Sequence, residues 1–181
     1  MIWLWRNPNT LAQTRMGEYI KDSGTDAYDL IDGIVIEPSK VDAPKVVFRC
    51  DEKYLTDVLP NSVSLLIVSE KVLAILKEMC PVDFQSFDAN IYVKEKKIDG
   101  YYLLNVTNKV EIIDKTKSIF TLMKHSNTIL RFEKIVYKVD ELIDHDIVRN
   151  ADYLPHVLVS DRLKEAFKRA KIKGVEFRQE P

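Results

Sequence analysis

The sequence predicts an α+β fold in which a largely antiparallel or mixed central sheet carries two related, serine-capped amphipathic helices. Two stretches 91 residues apart share one plan: an apolar run, a serine, an acidic residue, an amphipathic helix and a hydrophobic-acid-aromatic triplet. Between them the chain is rich in β-branched and aromatic residues, which favour strands. The chain has 181 residues, of which 46% are hydrophobic and 30% charged, so it can bury a core without metal or disulfide links.

The first third of the chain predicts short strands separated by turns. Residues 2–5 predict an opening strand, because this apolar and aromatic run is followed by the turn signal Asn7-Pro8-Asn9. Residues 34–36 and 46–48 predict two more strands on either side of a proline-containing loop. A short helical turn is expected within residues 51–62.

The first copy of the repeated plan spans about residues 63–87. Ser69 lies where a helix needs an N-cap, because its hydroxyl can accept a hydrogen bond from a free backbone N–H group. Glu70 meets the positive end of the helix dipole, and Pro81 is the predicted stop. An apolar stripe at helical spacing follows the cap: Val72, Ile75, Leu76 and Met79.

The centre of the chain predicts an antiparallel meander, which leads to a helical turn at residues 141–143. Turn signals at Asp99-Gly100 and Thr107-Asn108 separate runs of residues that favour strands. The predicted strands are residues 91–93, 101–106, 110–113 and 129–139.

The second copy of the plan follows, with Ser160 as the predicted N-cap and Gly174 as the predicted stop. Its triplet, Val175-Glu176-Phe177, corresponds to Val82-Asp83-Phe84 after a two-residue difference in length. An internal duplication and two separate uses of a common strand-to-helix design both explain the pattern. The second apolar stripe is Leu163, Ala166, Phe167 and Ala170.

No Gly/Ser-rich linker divides the chain, which predicts a single α+β domain over residues 1–181. The alternative is a subdivision into an N-terminal segment, residues 1–60, and a second region, residues 61–181. Residues 155–181 carry 7 basic and 4 acidic side chains. This local excess is typical of a solvated helix face rather than of a phosphate-binding patch.

Net charge and cysteine content indicate which partners and which cellular compartment suit the protein. A formal net charge of -1 argues against a nucleic-acid partner, since phosphate contacts need a basic surface. Cys50 and Cys80 are two isolated thiols, which indicates a reducing compartment. The N-terminus lacks the features of a signal peptide, and no run reaches membrane-spanning length. These observations predict a cytoplasmic protein with no membrane partner.

The residues offer no recognisable catalytic, cofactor or metal site. Asp144-His145-Asp146 is the one local cluster around a histidine, and neighbours on an extended chain point to different sides, so a solvated turn is favoured over a metal site. No nucleophile elbow or Gly-rich phosphate loop is present. Pairs of carboxylates that assemble only in space are not readable from a sequence.

An ordered set of short motifs resembles the bacterial immunity proteins of polymorphic-toxin immunity family eleven, over about residues 60–181. The motifs are Leu66-Ile67-Val68-Ser69, Tyr101-Tyr102-Leu103-Leu104-Asn105-Val106, Ile113-Asp114 with Ser118, Ile147-Val148-Arg149, and Val157-Leu158-Val159-Ser160 closing on Gly174-Val175-Glu176-Phe177.

The resemblance implies an antidote that neutralises a cognate toxin by binding it directly, without catalysis and without a cofactor. Aromatic residues and arginine are favoured as anchors of such interfaces, which makes Trp3, Trp5, Tyr101 and Arg149 the candidate partner-binding residues. Sheet and core packing is the favoured use of the aromatic residues, and the polar residues of the motifs, Asn105, Asp114, Ser118 and Arg149, are interpreted as turn, cap and hydrogen-bond residues. The sequence leaves monomer and homodimer undecided.

Three other functions remain open. The chain is alternatively a small-molecule or peptide-binding module, a hydrolase that works through carboxylates, or a structural subunit of an assembly. A deep pocket with convergent acids or histidines favours the first two, whereas a flat or grooved face with exposed aromatic residues favours toxin binding.

Overall fold

The computed structural model describes residues 1–126, 128–139, 142 and 144–179. Within them it contains fourteen strands, three α-helices and three short 3-10 helices. The strands are β1 Ile2–Arg6, β2 Glu18–Tyr19, β3 Lys45–Phe48, β4 Leu66–Ser69, β5 Phe84–Asp88, β6 Asn90–Val93, β7 Lys96–Ile98, β8 Tyr101–Val106, β9 Lys109–Val110, β10 Ile119–Leu122, β11 Ile129–Lys134, β12 Ile147–Asn150, β13 Val157–Ser160 and β14 Glu176–Arg178. The α-helices are α1 Ala27–Ile31, α2 Glu70–Met79 and α3 Asp161–Arg169, and the 3-10 helices are Gln13–Arg15, Pro38–Lys40 and Glu52–Tyr54.

The chain is a mixed α+β protein, and strands predominate over helices. The described strands form four sheets, whereas the sequence predicts one central sheet. The sheet orders are β14-β1-β13-β12-β9, β2-β3-β6-β7, β4-β8-β5 and β10-β11. Neighbouring strands are antiparallel except for β12 with β9 and β3 with β6, which are parallel.

The predicted antiparallel meander over residues 91–139 is wrong. Its strands pair in four different sheets: β6 lies between β3 and β7, β8 lies between β4 and β5, β9 pairs with β12, and β10 pairs with β11. Strand propensity selects side chains that fit a half-buried pleated surface, but it does not select the neighbouring strand. Which strands pair when they are far apart in sequence depends on which apolar faces pack into a common core.

Two further local predictions need correction. Residues 34–36 are not a strand; they run beside β5, where the Gln85 side chain accepts from the Ile36 N–H at 3.0 Å and donates to the Ile36 carbonyl at 2.8 Å. The helical turn predicted within residues 51–62 is limited to Glu52–Tyr54. The helical turn predicted at residues 141–143 lies outside the described residues.

The two repeated stretches form the same topological unit. In unit one, β4, α2 and β5 make a β-α-β segment whose two strands lie on either side of β8. In unit two, β13, α3 and β14 make a β-α-β segment whose strands lie on either side of β1. The middle strand follows the segment along the chain in unit one and precedes it in unit two.

The register of both units follows the 91-residue offset. Residues of β4 and β5 pair with the middle strand of unit one, β8. The residues 91 positions later, in β13 and β14, pair with the middle strand of unit two, β1, in the same register. The two-residue difference predicted for the triplets is therefore wrong, and Phe177 corresponds to Ser86 rather than to Phe84. Similar residue types suggested the other alignment, but strand pairing defines the equivalent positions.

Each unit also has an aspartate that binds the serine before its helix. The Asp57 carbonyl accepts from the Ser69 N–H at 2.7 Å, and the Asp57 carboxylate accepts from the Ser69 hydroxyl at 3.2 Å. In the same way, the Asp146 carbonyl accepts from the Ser160 N–H at 3.0 Å, and the Asp146 carboxylate accepts from the Ser160 hydroxyl. The common plan thus extends upstream of the strands, to positions that the sequence pattern does not reveal.

The two serines differ in how they meet their helices. Ser160 accepts a hydrogen bond from the Leu163 N–H at 3.1 Å, which is the expected N-cap interaction. Ser69 stands at the N-cap position of α2 but makes no such bond. The prediction that both helices are serine-capped is therefore not met by Ser69, whose described hydroxyl bond is to Asp57.

Gly174 is not the stop signal of α3. The helix ends at Arg169, and Lys171 adopts the left-handed conformation with φ +53°. The N–H groups of Lys171 and Ile172 donate to the carbonyls of Lys168 and Phe167, each at 3.0 Å, which completes a Schellman motif with lysine at the position usually held by glycine.

Gly174 instead allows a close approach of two segments. Its φ is +94°, and a Cβ built on it would lie 2.1 Å from the Val58 carbonyl oxygen and 2.4 Å from the Thr56 hydroxyl oxygen. We expect Gly174→Ala to reduce the free energy of unfolding by about 2–5 kcal/mol, from left-handed strain plus overpacking. Urea denaturation measures the change.

Gly100→Ala is the matched control for this prediction. Gly100 also has a positive φ, +82°, but an added Cβ meets nothing within 4 Å. Only the backbone term should remain, about 1–2 kcal/mol. Equal losses for the two variants would show that the contact with Val58 is unimportant.

Three clusters of buried apolar side chains hold these elements together. The first lies between unit one and unit two and includes α2, α3 and Trp5. The second lies between the opposite face of unit one and the sheet containing β3. Ile67 and Val68 are neighbours on β4, so their side chains point to opposite faces, and they fall in different clusters. The third packs β1, β12 and β13 against residues 110–137. Among the described helices, none is long and apolar enough to cross a membrane.

Candidate functional site

The structure brings together only two of the four predicted partner-binding residues. Trp5 and Arg149 line one cavity, whereas Trp3 lies on unit two and Tyr101 lies on unit one. The four residues therefore do not form one continuous surface. Their contact with a partner stays a prediction.

The two tryptophans have different environments. Trp5 is 7% exposed, and its ring meets the edges of Phe167 and Phe177 at centroid distances of 5.5 and 5.7 Å. Trp3 is half-buried; its indole N–H donates to Asp161 at 2.6 Å, and Lys164 Nζ lies 3.1 Å from its ring centroid. Trp5 is thus a core residue, while Trp3 keeps part of its surface accessible.

Tyr101 is half-buried at the start of β8. Its hydroxyl donates to the Thr56 carbonyl oxygen at 3.2 Å. Burial raises the pKa of Tyr101, and the nearby carboxylates of Asp57 and Glu52 raise it further. The phenol therefore stays neutral at physiological pH and can donate this hydrogen bond.

Arg149 is a buried cation whose described hydrogen bonds all go to backbone carbonyls. It donates to Val106, Leu154 and Leu30 at 2.9, 2.7 and 3.2 Å. Burial lowers the pKa of Arg149 to about 10, so the guanidinium is still charged at neutral pH. Gly33 makes room for it, because a Cβ there would lie 2.7 Å from Arg149 Nε. Arg149 therefore joins β8, β12 and α1.

The cavity beside Arg149 has a volume of about 310 Å³. Its wall mixes apolar and polar side chains, and the polar ones are Arg6, Asn7, Asn9, Ser64, Arg149, Tyr153 and His156. No carboxylate of the described residues lines it. This size is at the lower limit for small-molecule pockets, and the acid pair that carboxylate-based hydrolysis needs is not among the described lining residues.

A second polar cluster surrounds the buried carboxylate of Asp83. His145 Nδ1 lies 3.0 Å from Asp83 Oδ1, and Asn108 Nδ2 donates to the same oxygen at 2.8 Å. The neighbouring Cys80 thiol is a poor nucleophile, because burial, with further effects of Asp83 and Asp146, raises its pKa to about 12. The cluster fastens the loop around His145 to the start of β5.

The local cluster Asp144-His145-Asp146 is divided between two partners. His145 faces Asp83, whereas Asp146 binds Ser160 and Arg162, the latter at 3.1 Å. Within the part of the chain that the structure describes, no group of three or more His, Cys, Asp or Glu side chains is placed to hold a metal ion.

The hairpin of β10 and β11 is a candidate contact surface that the sequence reasoning missed. We call residues 115–138 the basic ribbon, since they carry six basic and one acidic side chain in a chain of net charge -1. Among the described residues, β10 and β11 pair only with each other. This local excess of basic side chains is visible in the sequence and could have indicated the surface.

The base of the basic ribbon is fixed by two polar residues. Asp114 N–H donates to the Val136 carbonyl at 2.8 Å, and the Ser118 hydroxyl accepts from the Val136 N–H at 2.9 Å. The Asp114 carboxylate accepts from the Thr116 hydroxyl at 2.6 Å, and this bond holds the pKa of Asp114 down at about 2, with Lys117 adding to the effect. The ribbon thus projects from a defined turn.

A groove of about 670 Å³ runs under the basic ribbon. Phe120, Leu122 and Ile129 line it from the ribbon side, and Tyr153 and Pro155 line it from the opposite side. Asp32, Asp152 and Lys115 also line the groove, and Lys115 Nζ lies 2.7 Å from the Asp152 carboxylate. Tyr153 and Pro155 also line the cavity beside Arg149, so the groove and the cavity share a wall. The groove is mostly apolar, with the Lys115–Asp152 ion pair and Asp32 in its wall, and the basic ribbon forms one of its sides.

The fold and this face define a small mixed α+β protein with two split β-α-β units and a projecting basic ribbon. The chain belongs to the Immunity protein family (Imm11), whose family model matches residues 7–180. The match thus includes most of the N-terminal third, which the motif resemblance over residues 60–181 leaves out. No curated protein matches the chain.

Proposed function

We propose that this protein neutralises a cognate toxin of a bacterial polymorphic-toxin system by direct binding, without catalysis. Family membership is the observation that carries the proposal, because it supports an immunity function against a toxin. The proposal adds the mode of action, which is the formation of a stable complex.

The contacts of the polar residues support binding over catalysis. Arg149 is bound by three backbone carbonyls, and Asp83 is bound by His145 and Asn108. Groups held in this way stabilise the fold, and their hydrogen bonds make them less available as a catalytic acid, base or nucleophile. The grooved face under the basic ribbon is the alternative to a deep catalytic pocket.

We further propose that residues 1–181 act as one domain in the cytoplasm. Strand pairing supports the first point, since β1 lies inside the sheet formed by unit two and β3 pairs with β6. The free thiols of Cys50 and Cys80 support a reducing compartment. Nucleic acid and membranes are not proposed as partners.

Co-expression with the toxin encoded beside this gene tests the proposal. We expect growth to be rescued and the two proteins to purify as one complex, whereas an unrelated protein expressed at the same level should not rescue growth. Failure of both rescue and complex formation would contradict the proposal.

A titration distinguishes binding from catalysis. We expect toxin activity to fall linearly with added protein and to vanish near equimolar amounts, with the toxin mass unchanged by mass spectrometry. Inactivation of many toxin molecules by one molecule of this protein would instead identify an enzyme.

A further inference from the structure

We propose that the basic ribbon and the groove beneath it form the toxin-binding surface, and that the toxin presents an apolar patch bordered by carboxylates. This inference rests on the proposed function and assigns the surface that performs it. Exposed apolar side chains, a groove and local charge carry the argument.

The basic ribbon carries a group of exposed apolar side chains. Leu130 and Ile119 are 54% and 53% exposed, and Met123 and Leu122 are 47% and 43% exposed. Single exposed apolar residues are normal on protein surfaces, but a cluster of them commonly marks an interaction site. Four such side chains occur here within twelve residues of chain.

The groove supplies a preformed wall for an apolar anchor. Phe132 contacts Phe120 edge to face at a centroid distance of 5.9 Å and Tyr153 at 5.5 Å, so aromatic packing joins the ribbon to the opposite wall. Interface anchors are favoured in well-packed pockets that exclude water. An apolar side chain of the toxin fits this description better than a polar one.

The charge of the ribbon indicates which toxin side chains surround that apolar anchor. Of the six cations of residues 115–138, Lys115 pairs with Asp152 at 2.7 Å, Lys117 with Asp114 at 3.2 Å and Arg131 with Glu133 at 3.7 Å. The positive charge that is left for a partner lies mainly on Lys124, Lys134 and Lys138. Lys124, Arg131 and Lys134 are exposed. Complementary charges at an interface speed association and exclude wrong partners, and for this ribbon the complement is a ring of carboxylates.

The ribbon is built for side-chain contact rather than for pairing with a strand of the toxin. Its ladder has irregularities between Ile119 and Phe120 and between Thr121 and Leu122. Bulges and edge lysines are the means by which strands avoid edge-to-edge pairing. The occupant is therefore a folded toxin surface and not an added strand, and the apolar content disfavours nucleic acid.

A second exposed apolar group provides a matched control. Tyr28 and Val35 are 71% and 72% exposed and lie outside the ribbon, on α1 and after its end. Substitutions there remove similar apolar area without changing the ribbon.

The first experiment compares affinities for the neighbouring gene's toxin. We expect Leu122→Ser with Leu130→Ser to weaken binding at least about tenfold, because Leu122 lines the groove and Leu130 is the most exposed of the four apolar side chains of the ribbon. Tyr28→Ser with Val35→Ser should bind like the wild type. All four positions are exposed, so circular dichroism should report an unchanged fold.

The second experiment tests the charge. We expect Lys124→Glu, Arg131→Glu and Lys134→Glu together to slow association roughly tenfold at low salt, with the difference shrinking near 1 M salt. The control reverses three exposed cations on other elements, Lys21→Glu, Lys77→Glu and Lys97→Glu, and has the same net charge. It should associate at the wild-type rate.

The outcomes separate this inference from the proposed function. Wild-type binding that survives both ribbon variants overturns the inference and leaves the proposed function standing. The same holds if the Tyr28 and Val35 variant loses binding instead. If the wild-type protein does not bind the toxin, or if its ribbon binds a single-stranded RNA oligomer instead, the inference and the proposed function are both overturned.

Discussion

Arg149→Met is expected to lower the free energy of unfolding by about 3–5 kcal/mol. Methionine fills much of the space of the arginine stem but cannot donate to the carbonyls of Val106, Leu154 and Leu30, which Arg149 binds. Buried acceptors that lose their donors keep the full penalty of desolvation. Urea denaturation at neutral pH measures the loss.

Arg49→Met is the control for the Arg149 prediction. The Arg49 side chain is 80% exposed and pairs with Glu18 at 2.8 Å. Exposed ion pairs contribute little, so a change of at most about 1 kcal/mol is expected. Unchanged stability of Arg149→Met, with loss of toxin binding, would make Arg149 a contact residue and contradict the structural role.

Trp5→Ala is expected to destabilise the protein by about 3–5 kcal/mol. Trp5 belongs to the cluster between unit one and unit two, where its ring contacts Phe167 and Phe177. Truncation leaves a cavity that these aromatic rings cannot close, and it removes two edge contacts as well. Thermal and urea unfolding both report the change.

Trp3→Ala separates packing from surface contact, because Trp3 is the same residue type two positions away. It should cost about 1–2 kcal/mol, mainly through the lost hydrogen bond to the charged Asp161. If the two variants lose equal stability, Trp5 has no special place in the core. Toxin affinity of both variants tests their predicted partner contacts.

The amphipathic helices could be predicted because their information is local. An apolar stripe and the Ser160 cap lie within one helix and its first turn, and the structure places α3 at Asp161–Arg169. The cap of α2 was not predictable in the same way, since Ser69 accepts no hydrogen bond from the first turn, although its hydroxyl donates to an aspartate as that of Ser160 does. Lys171 shows a related limit, because a residue other than glycine adopts the left-handed position.

The candidate site was less predictable from residue types. Trp5 and Arg149 were selected as interface anchors, but burial decides whether an aromatic ring or a guanidinium faces a partner or the core. Both are buried here. The charge excess of residues 115–138 was readable, but its meaning depends on the exposure of Ile119 and Leu130, which a sequence does not report.

By itself, the sequence determined the α+β class, the two helices with their apolar stripes, the 91-residue offset and the family resemblance. These follow from periodicity and order along the chain. Only the tertiary structure decided that the described strands form four sheets and that Arg149 is buried. It also decided that the middle strand comes after the β-α-β segment in unit one and before it in unit two. Pairing and burial depend on contacts between residues far apart in sequence, and local patterns do not encode which distant face completes a core.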